Sequence, residues 1–451
     1  MKKELFRTIY QVQSYIASLL LYQDTLAQPA GQTYRHLLQT LIESAEGIRS
    51  ELSCLKAYGE WFKAIAQTGQ SWRDYILQQI LTADNPFSQQ AQKRDFASLP
   101  NDLVAAAKHD LRILQKISNL GGETLTQWIE ELASDDFKLE DWVEWSGTNS
   151  AFARGRSELL SSLIRNFQSS NDWTELVESL AEAYRQNGTG LFAEYVAFRW
   201  QAGKLLGLAY PDYVNALDLV GYETQRNALL KNTEFLLAGY AALNVLLYGS
   251  RGSGKSSLVK SLLHQYGDRG LRLIEVARSD LKDLLAIMEV LRNAPQKFIL
   301  FVDDLSFEKE EDDYKALKVL LEGNLNAKPA NIVVYATSNR RHLLREYFGD
   351  RPRPSATEEV HPWDTVQEKM SLSDRFGLVL TFEPSDQDTY LKIVHHLAHK
   401  AGIDLTAEDL EFRALQWATR HNGRSGRTAQ QFIDFLHGEL QIGLTPFNSP
   451  L

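Results

Sequence analysis

Residues 249–256 read Gly-Ser-Arg-Gly-Ser-Gly-Lys-Ser and fit the spacing G-x-x-x-x-G-K-[ST]. Gly249, Gly252 and Gly254 can take backbone angles closed to other residues. Successive N–H groups along Ser250, Arg251, Ser253 and on to Ser257 can therefore turn inward around an anion. Lys255 supplies a cation with reach toward β and γ phosphates, and the Ser256 hydroxyl suits Mg²⁺. The flanks supply the setting that such a loop needs. Val245, Leu246 and Leu247 form a short apolar run of strand character, and Leu258, Val259, Leu262 and Leu263 recur at helical spacing. The helix adds its positive N-terminal end to the anion site. We expect a nucleoside triphosphate to bind here.

Such a loop works with metal and water chemistry from neighbouring strands. "KFILFVDD" (297–304) ends an apolar run on Asp303 and Asp304, with one strand intervening after the loop. The first acid is placed to help hold Mg²⁺ and the second to polarise an attacking water. The second acid in such pairs is usually glutamate, so Asp304 has a shorter reach. Glu308 is the alternative base. In "YATSNRRHL", Asn339 follows another apolar strand and is placed to hold the lytic water or touch the γ-phosphate.

The elements that must position these groups form three stretches. Residues 1–205 read as helix after helix, 206–383 as alternating strands and helices, and 384–451 as helices again. Strands are expected at 243–248, 271–276, 297–304, 331–338 and 378–383, with near-continuous apolar content that implies a parallel sheet covered on both faces. Helices are expected at 34–66 (one long or once broken), at 71–81 with Ser71 as N-cap, and at 175–188 with a glycine stop. Residues 83–102 read as a loop. Leu5, Ile9, Val12, Ile16 and Leu19 recur every three or four residues, which marks an amphipathic helix rather than a secretion signal. Seven of the nine tryptophans precede residue 210, which suits either the core of a helical domain or a contact surface.

Composition narrows the class. A net charge of −10 argues against the broad basic surface of a dedicated nucleic-acid binder. The single cysteine, Cys54, leaves no internal disulfide and no cysteine-based zinc site. No apolar run reaches the ~18 residues that span a bilayer. Together these place the protein in the cytoplasm, with no membrane partner. His395 and His399 lie one helical turn apart, without the cysteine or carboxylate pair that would make them a metal site.

The phosphate loop, "FILFVDD", Asn339, "SLSDRFG" (371–377) and "GRSGRTAQQF" (423–432) occur in the order of an AAA+ ATPase. From about residue 214 to 440 the chain resembles an uncharacterised, mostly bacterial AAA+ family known as a domain of unknown function. "LVGYETQRNALLKNTEFLLAG", "FVDDLSFE", "YATSNRRHL" and "EKMSLSDRFGL" carry that resemblance. It implies a P-loop α/β core with a sheet of order 5-1-4-3-2, a C-terminal helical lid, and nucleotide between them. Gly221 and Tyr222 then belong to the adenine-side segment, Asp303 and Asp304 are the Walker B acids, and Asn339 is sensor one. Arg427 resembles sensor two, with Arg424 as the alternative. Arg375 resembles an arginine finger offered to a neighbouring subunit. No N-K-x-D-like segment for guanine follows, so ATP is the expected nucleotide, with Mg²⁺. The aromatic–hydrophobic–glycine pore loop of unfoldases is missing from 275–291.

The expected activity is hydrolysis of ATP to ADP and phosphate by a head-to-tail homo-oligomer. That oligomer remodels or switches a protein partner gripped through residues 1–205. Two alternatives stand beside it. One is a nucleic-acid loader using the arginine-rich stretch 341–355, and the other a nucleotide-gated scaffold with low turnover.

Overall fold

The computed structural model describes residues 2–132, 143, 145–147, 158–212, 214–305, 317–318, 321, 329–339, 373, 375–421 and 423–442. The chain divides into two compact units, Met1–Glu194 and Tyr195–Leu451. Glu308 and the stretch 341–355 lie outside the described residues.

The regular elements among the first unit's described residues are all helices. The amphipathic helix spans Lys2–Ala17 and buries Leu5, Ile9 and Val12. The pattern at 34–66 is two helices, Pro29–Ala45 and Glu51–Thr68, separated where Gly47 takes φ 78°. Ser71 caps Trp72–Leu81 by accepting from the Asp74 N–H at 3.1 Å. Gly188 stops Val177–Asn187 at φ 90°. The expected loop at 83–102 is corrected by a short helix, Pro86–Ala91. Its N-terminus is closed by reciprocal bonds between Asn85 and Ser88, both 2.9 Å. Trp61, Trp72, Trp128 and Trp173 are all buried, and Tyr34 stacks on Trp72 with centroids 4.3 Å apart. These tryptophans fill the core, where each large ring removes much apolar surface from water.

The second unit is built on one sheet of seven strands: β1 (Ala197–Gln201), β2 (Lys204–Gly207), β3 (Val245–Gly249), β4 (Leu271–Val276), β5 (Lys297–Val302), β6 (Ile332–Ser338) and β7 (Leu378–Phe382). Their order is β2-β1-β4-β5-β6-β3-β7. The expectation of five strands is thereby corrected. A hairpin assigned to the helical region extends the β4 side, with β1 parallel to β4 and β2 antiparallel to β1. Residues 195–205 therefore belong with the sheet, and the division falls at Glu194/Tyr195 rather than at 205/206. The five strands from Val245 onward are all parallel to one another and continue the parallel run from β1, with β3 lying between β6 and β7.

Side chains alternate between the faces of a strand. Val245, Leu247, Leu273, Ile299, Phe301, Val333 and Tyr335 share one core cluster with Leu258, Leu262 and Tyr266 of the helix Lys255–Tyr266, and with Leu229 and Leu236 of Glu223–Leu237. Each fully buried Leu or Val there contributes about 1.5–3 kcal/mol relative to an exposed one. Asn232 pins the helix Glu223–Leu237 to the sheet by donating to the Leu243 carbonyl at 2.9 Å and the Tyr335 hydroxyl at 3.0 Å. Burial pushes that hydroxyl's pKa up to about 12, so it stays a neutral link. Three further helices, Gln387–Lys400, Ala407–Arg420 and Gly426–Ile442, bury their own core of Tyr390, Val394, Leu410, Ala414, Ala429 and Phe432. No helix among the described residues is long and apolar enough to cross a membrane.

Candidate functional site

Parallel strands present their C-terminal ends at one edge, where ligands of open α/β sheets bind. Here β3 delivers Gly249, β5 delivers Asp303 and Asp304, and β6 delivers Thr337 and Asn339 to that edge. The loop leaving β3 is closed tightly. Gly249 has φ 144°, and a Cβ on it would lie 1.9 Å from the Phe382 carbonyl oxygen. The Ser250 N–H donates to that same oxygen at 3.1 Å. Only glycine fits between β3 and β7 at this point. Gly252 and Gly254 also have positive φ, at 74° and 87°, and the helix begins at Lys255.

Lys255 is buried. Its ammonium donates to the Gly249 carbonyl at 2.9 Å, the Ser250 carbonyl at 2.7 Å and Asn339 Oδ1 at 3.3 Å. Burial lowers its pKa from the ordinary lysine value, while the carboxylates of Asp304 and Asp303 pull the other way. Ser256 Oγ donates to Asp303 Oδ1 at 2.6 Å. Asn339 faces both ways: its Oδ1 accepts from Lys255, and its Nδ2 donates to Asp304 Oδ1 at 2.6 Å.

The C-terminal helices complete the site. The first N–H groups of a helix lack partners within it. The Arg427 N–H, at the start of Gly426–Ile442, donates to the Gly252 carbonyl at 3.1 Å. The loop and this helix are thus joined backbone to backbone. A Cβ on Gly252 would meet Ser425 Oγ at 2.8 Å. On the other side, Gly221 (φ 93°) abuts Thr389, and the Tyr222 hydroxyl donates to the Glu383 carbonyl at 2.9 Å. Between these walls lies a cavity of about 1150 Å³. Its lining includes Arg251 through Ser257, Asp303, Asp304, Asn339, Tyr222 and Arg427.

The structure therefore brings together the loop, both acids, Asn339 and Arg427. Arg375 and Arg424 are not among the lining residues, and Arg424 donates to Gln387 Oε1 at 3.1 Å. His395 meets Glu411 at 2.7 Å, away from this cavity's lining. Thr337, which sequence reading passed over, also lines the cavity. Within β6 it reads as an ordinary strand former, and only its position two residues before Asn339 hinted at more. The cavity has an amide-rich loop with a lysine at one end. Beside it lies a hydroxyl–carboxylate pair whose oxygens suit a hard cation. Two further side chains, Asp304 and Asn339, bond to one another and line the same cavity.

A family model described as "Protein of unknown function (DUF815)" matches residues 193–440. The match begins beside the division between the units and bears out the resemblance carried by the motifs. No curated protein matches the chain. Among solved structures, the chain is similar to the Thermotoga maritima RuvB Holliday junction branch migration motor. That similarity has 16% identity and a TM-score of 0.36, over 50% of this chain and 64% of that one. It is also similar to the FIGL-1 AAA domain in complex with ADP, at 20% identity and a TM-score of 0.34, over 52% of this chain and 76% of that one. The chain thus spans less than two thirds of that RuvB chain.

Proposed function

The chain belongs to the family described as Protein of unknown function (DUF815), and from that premise we propose that it binds ATP in this cavity and hydrolyses it to ADP and phosphate. One observation carries the proposal. The phosphate loop, both carboxylates and Asn339 are joined by direct hydrogen bonds along one sheet edge, facing a cavity that the C-terminal helices also line. Backbone amides of 250–257 hold the phosphates, and Lys255 exchanges its carbonyl partners for phosphate oxygens. Ser256 and Asp303 fit Mg²⁺, a hard cation that takes oxygen ligands. When bound, that ion neutralises charge on the β and γ phosphate oxygens. Asp304 orients the attacking water and accepts its proton, with Asn339 fixing the carboxylate. Arg427 meets the phosphate charge from the C-terminal side.

In this reading the active form is a head-to-tail oligomer in which Arg375 serves a neighbour's nucleotide. The helical unit, residues 1–194, grips a protein partner. The charge of −10 favours this over nucleic-acid loading.

The direct test is Asp304→Asn. Asp304 has φ 52°, a conformation asparagine also tolerates, so the turn persists. Nucleotide affinity is expected to hold while phosphate release falls at least about 10²-fold, as when a general base is lost. If Glu308→Gln gives that loss and Asp304→Asn does not, the base is Glu308. Slow turnover in wild type with tight ATP binding favours a nucleotide-gated scaffold, for which the short reach of Asp304 is the structural reason.

A further inference from the structure

Apart from glycines, the described residues with positive φ are Ala202 and Asp304. Ala202 sits in a hairpin turn between β1 and β2, where such angles match the strand twist. Asp304 has no such reason. It leaves a parallel strand at φ 52°, which costs free energy for a side chain with a Cβ and persists only where surrounding contacts hold it. Those contacts converge on Thr337, beside a longer bond from the Asp304 N–H to Asp303 Oδ1 at 3.2 Å. Thr337 Oγ1 accepts from the Asp304 N–H at 2.9 Å and donates its own proton to Asp303 Oδ1. The Thr337 carbonyl accepts from the Leu305 N–H at 2.7 Å. Thr337 is itself 1% exposed, within a strand buried along its whole length, so it has little freedom to move.

We propose that Thr337 is a positioning residue that sets both acids at once, holding the Asp304 backbone in its left-handed turn while aiming Asp303 Oδ1 at Ser256. This rests on the hydrolytic reading above. A hydroxyl is both donor and acceptor, and this role needs both. Its acceptor side ties down the backbone of the water-orienting residue. Its donor side fixes the carboxylate oxygen that Ser256 also meets at 2.6 Å. A slip at Thr337 moves the cation's site and the water's site together. The loop amides and the bonds of Lys255 to the Gly249 and Ser250 carbonyls do not involve Thr337, so the phosphate cradle itself is left in place.

Valine has the shape of threonine without the hydroxyl, and serine has the hydroxyl without the methyl. Thr337→Val is expected to lower kcat roughly 10–100-fold, the range for losing a partner behind a metal-binding carboxylate. KM for Mg-ATP should stay within about twofold, as for an interaction not made with the ground-state ligand. Thr337→Ser should restore most of the rate. A second readout needs no turnover. In the nucleotide-free protein, hydrogen exchange at the Asp304 amide should speed up about fivefold in Thr337→Val, the equivalent of one ordinary hydrogen bond. Exchange should slow again in Thr337→Ser. Unchanged exchange at Asp304, or a serine variant as impaired as the valine one, overturns the assignment. If exchange responds as expected and wild type releases no phosphate, the positioning role stands and the hydrolytic reading falls.

Discussion

Replacing Lys255 by alanine is expected to weaken ATP binding at least about 10²-fold, on the scale of charge-assisted hydrogen bonds lost inside a protein. The amide cradle survives, because Gly249, Gly252 and Gly254 set its shape. Its cation does not. The lysine is buried against two carbonyl oxygens and Asn339, so no solvent-exposed cation can take its place without rebuilding the site. Its environment also gives the reading a pH signature. Burial depresses the lysine pKa in the free protein, and a polyphosphate raises it again. Affinity is then fullest below the depressed value and declines as pH rises past it. Titration calorimetry with Mg-ATP checks both statements, and unaltered affinity in the alanine variant removes the loop from the account.

Arg375→Ala is expected to keep nucleotide binding in each protomer and lose most of the hydrolysis. A guanidinium is permanently charged and forked, which suits the charge that develops on the transferring phosphoryl group. Arginines supplied from outside an active site contribute about 10³–10⁵ in rate. Arg375 precedes β7 and is not among the residues lining its own chain's cavity. In the proposed reading a neighbour receives it, which needs a head-to-tail arrangement rather than a two-fold dimer. Mixing Arg375→Ala with Lys255→Ala tests this, since each variant is inactive alone for a different reason. A Lys255→Ala protomer keeps Arg375 and can serve the intact nucleotide site of an Arg375→Ala neighbour. Activity should reappear in the mixture. No recovery, with full wild-type activity as a monomer at high dilution, contradicts the assignment.

How far this was legible in the sequence depends on how local each signal is. The phosphate loop is a contiguous run in which every glycine has a backbone task, so it could be read directly. Asp303, Asp304 and Asn339 were legible because apolar strands of a parallel sheet must end at a common edge. The β1–β2 hairpin was missed because its two-residue turn is Ala202-Gly203, with φ 50° and 76°. Such a turn usually announces itself with Asn or Asp at the first position. The helix at Pro86 was missed because Asn-Pro is as good a turn signal as it is a cap followed by N1. Thr337 was invisible for a different reason. Its role depends on which strand lies beside β6, and register is set by tertiary pairing. Arg427 was preferred to Arg424 on the motif alone, and the contact between the Arg427 N–H and Gly252, far apart in sequence, could not be read from it.

The central claim is that this cavity turns over ATP, and the most direct measurement is steady-state phosphate release by the purified wild-type protein across ATP, Mg²⁺ and protein concentration. The account predicts release that saturates with ATP, requires Mg²⁺, and rises per protomer as concentration drives neighbours together. Saturable ATP binding without phosphate release at any protein concentration would contradict it.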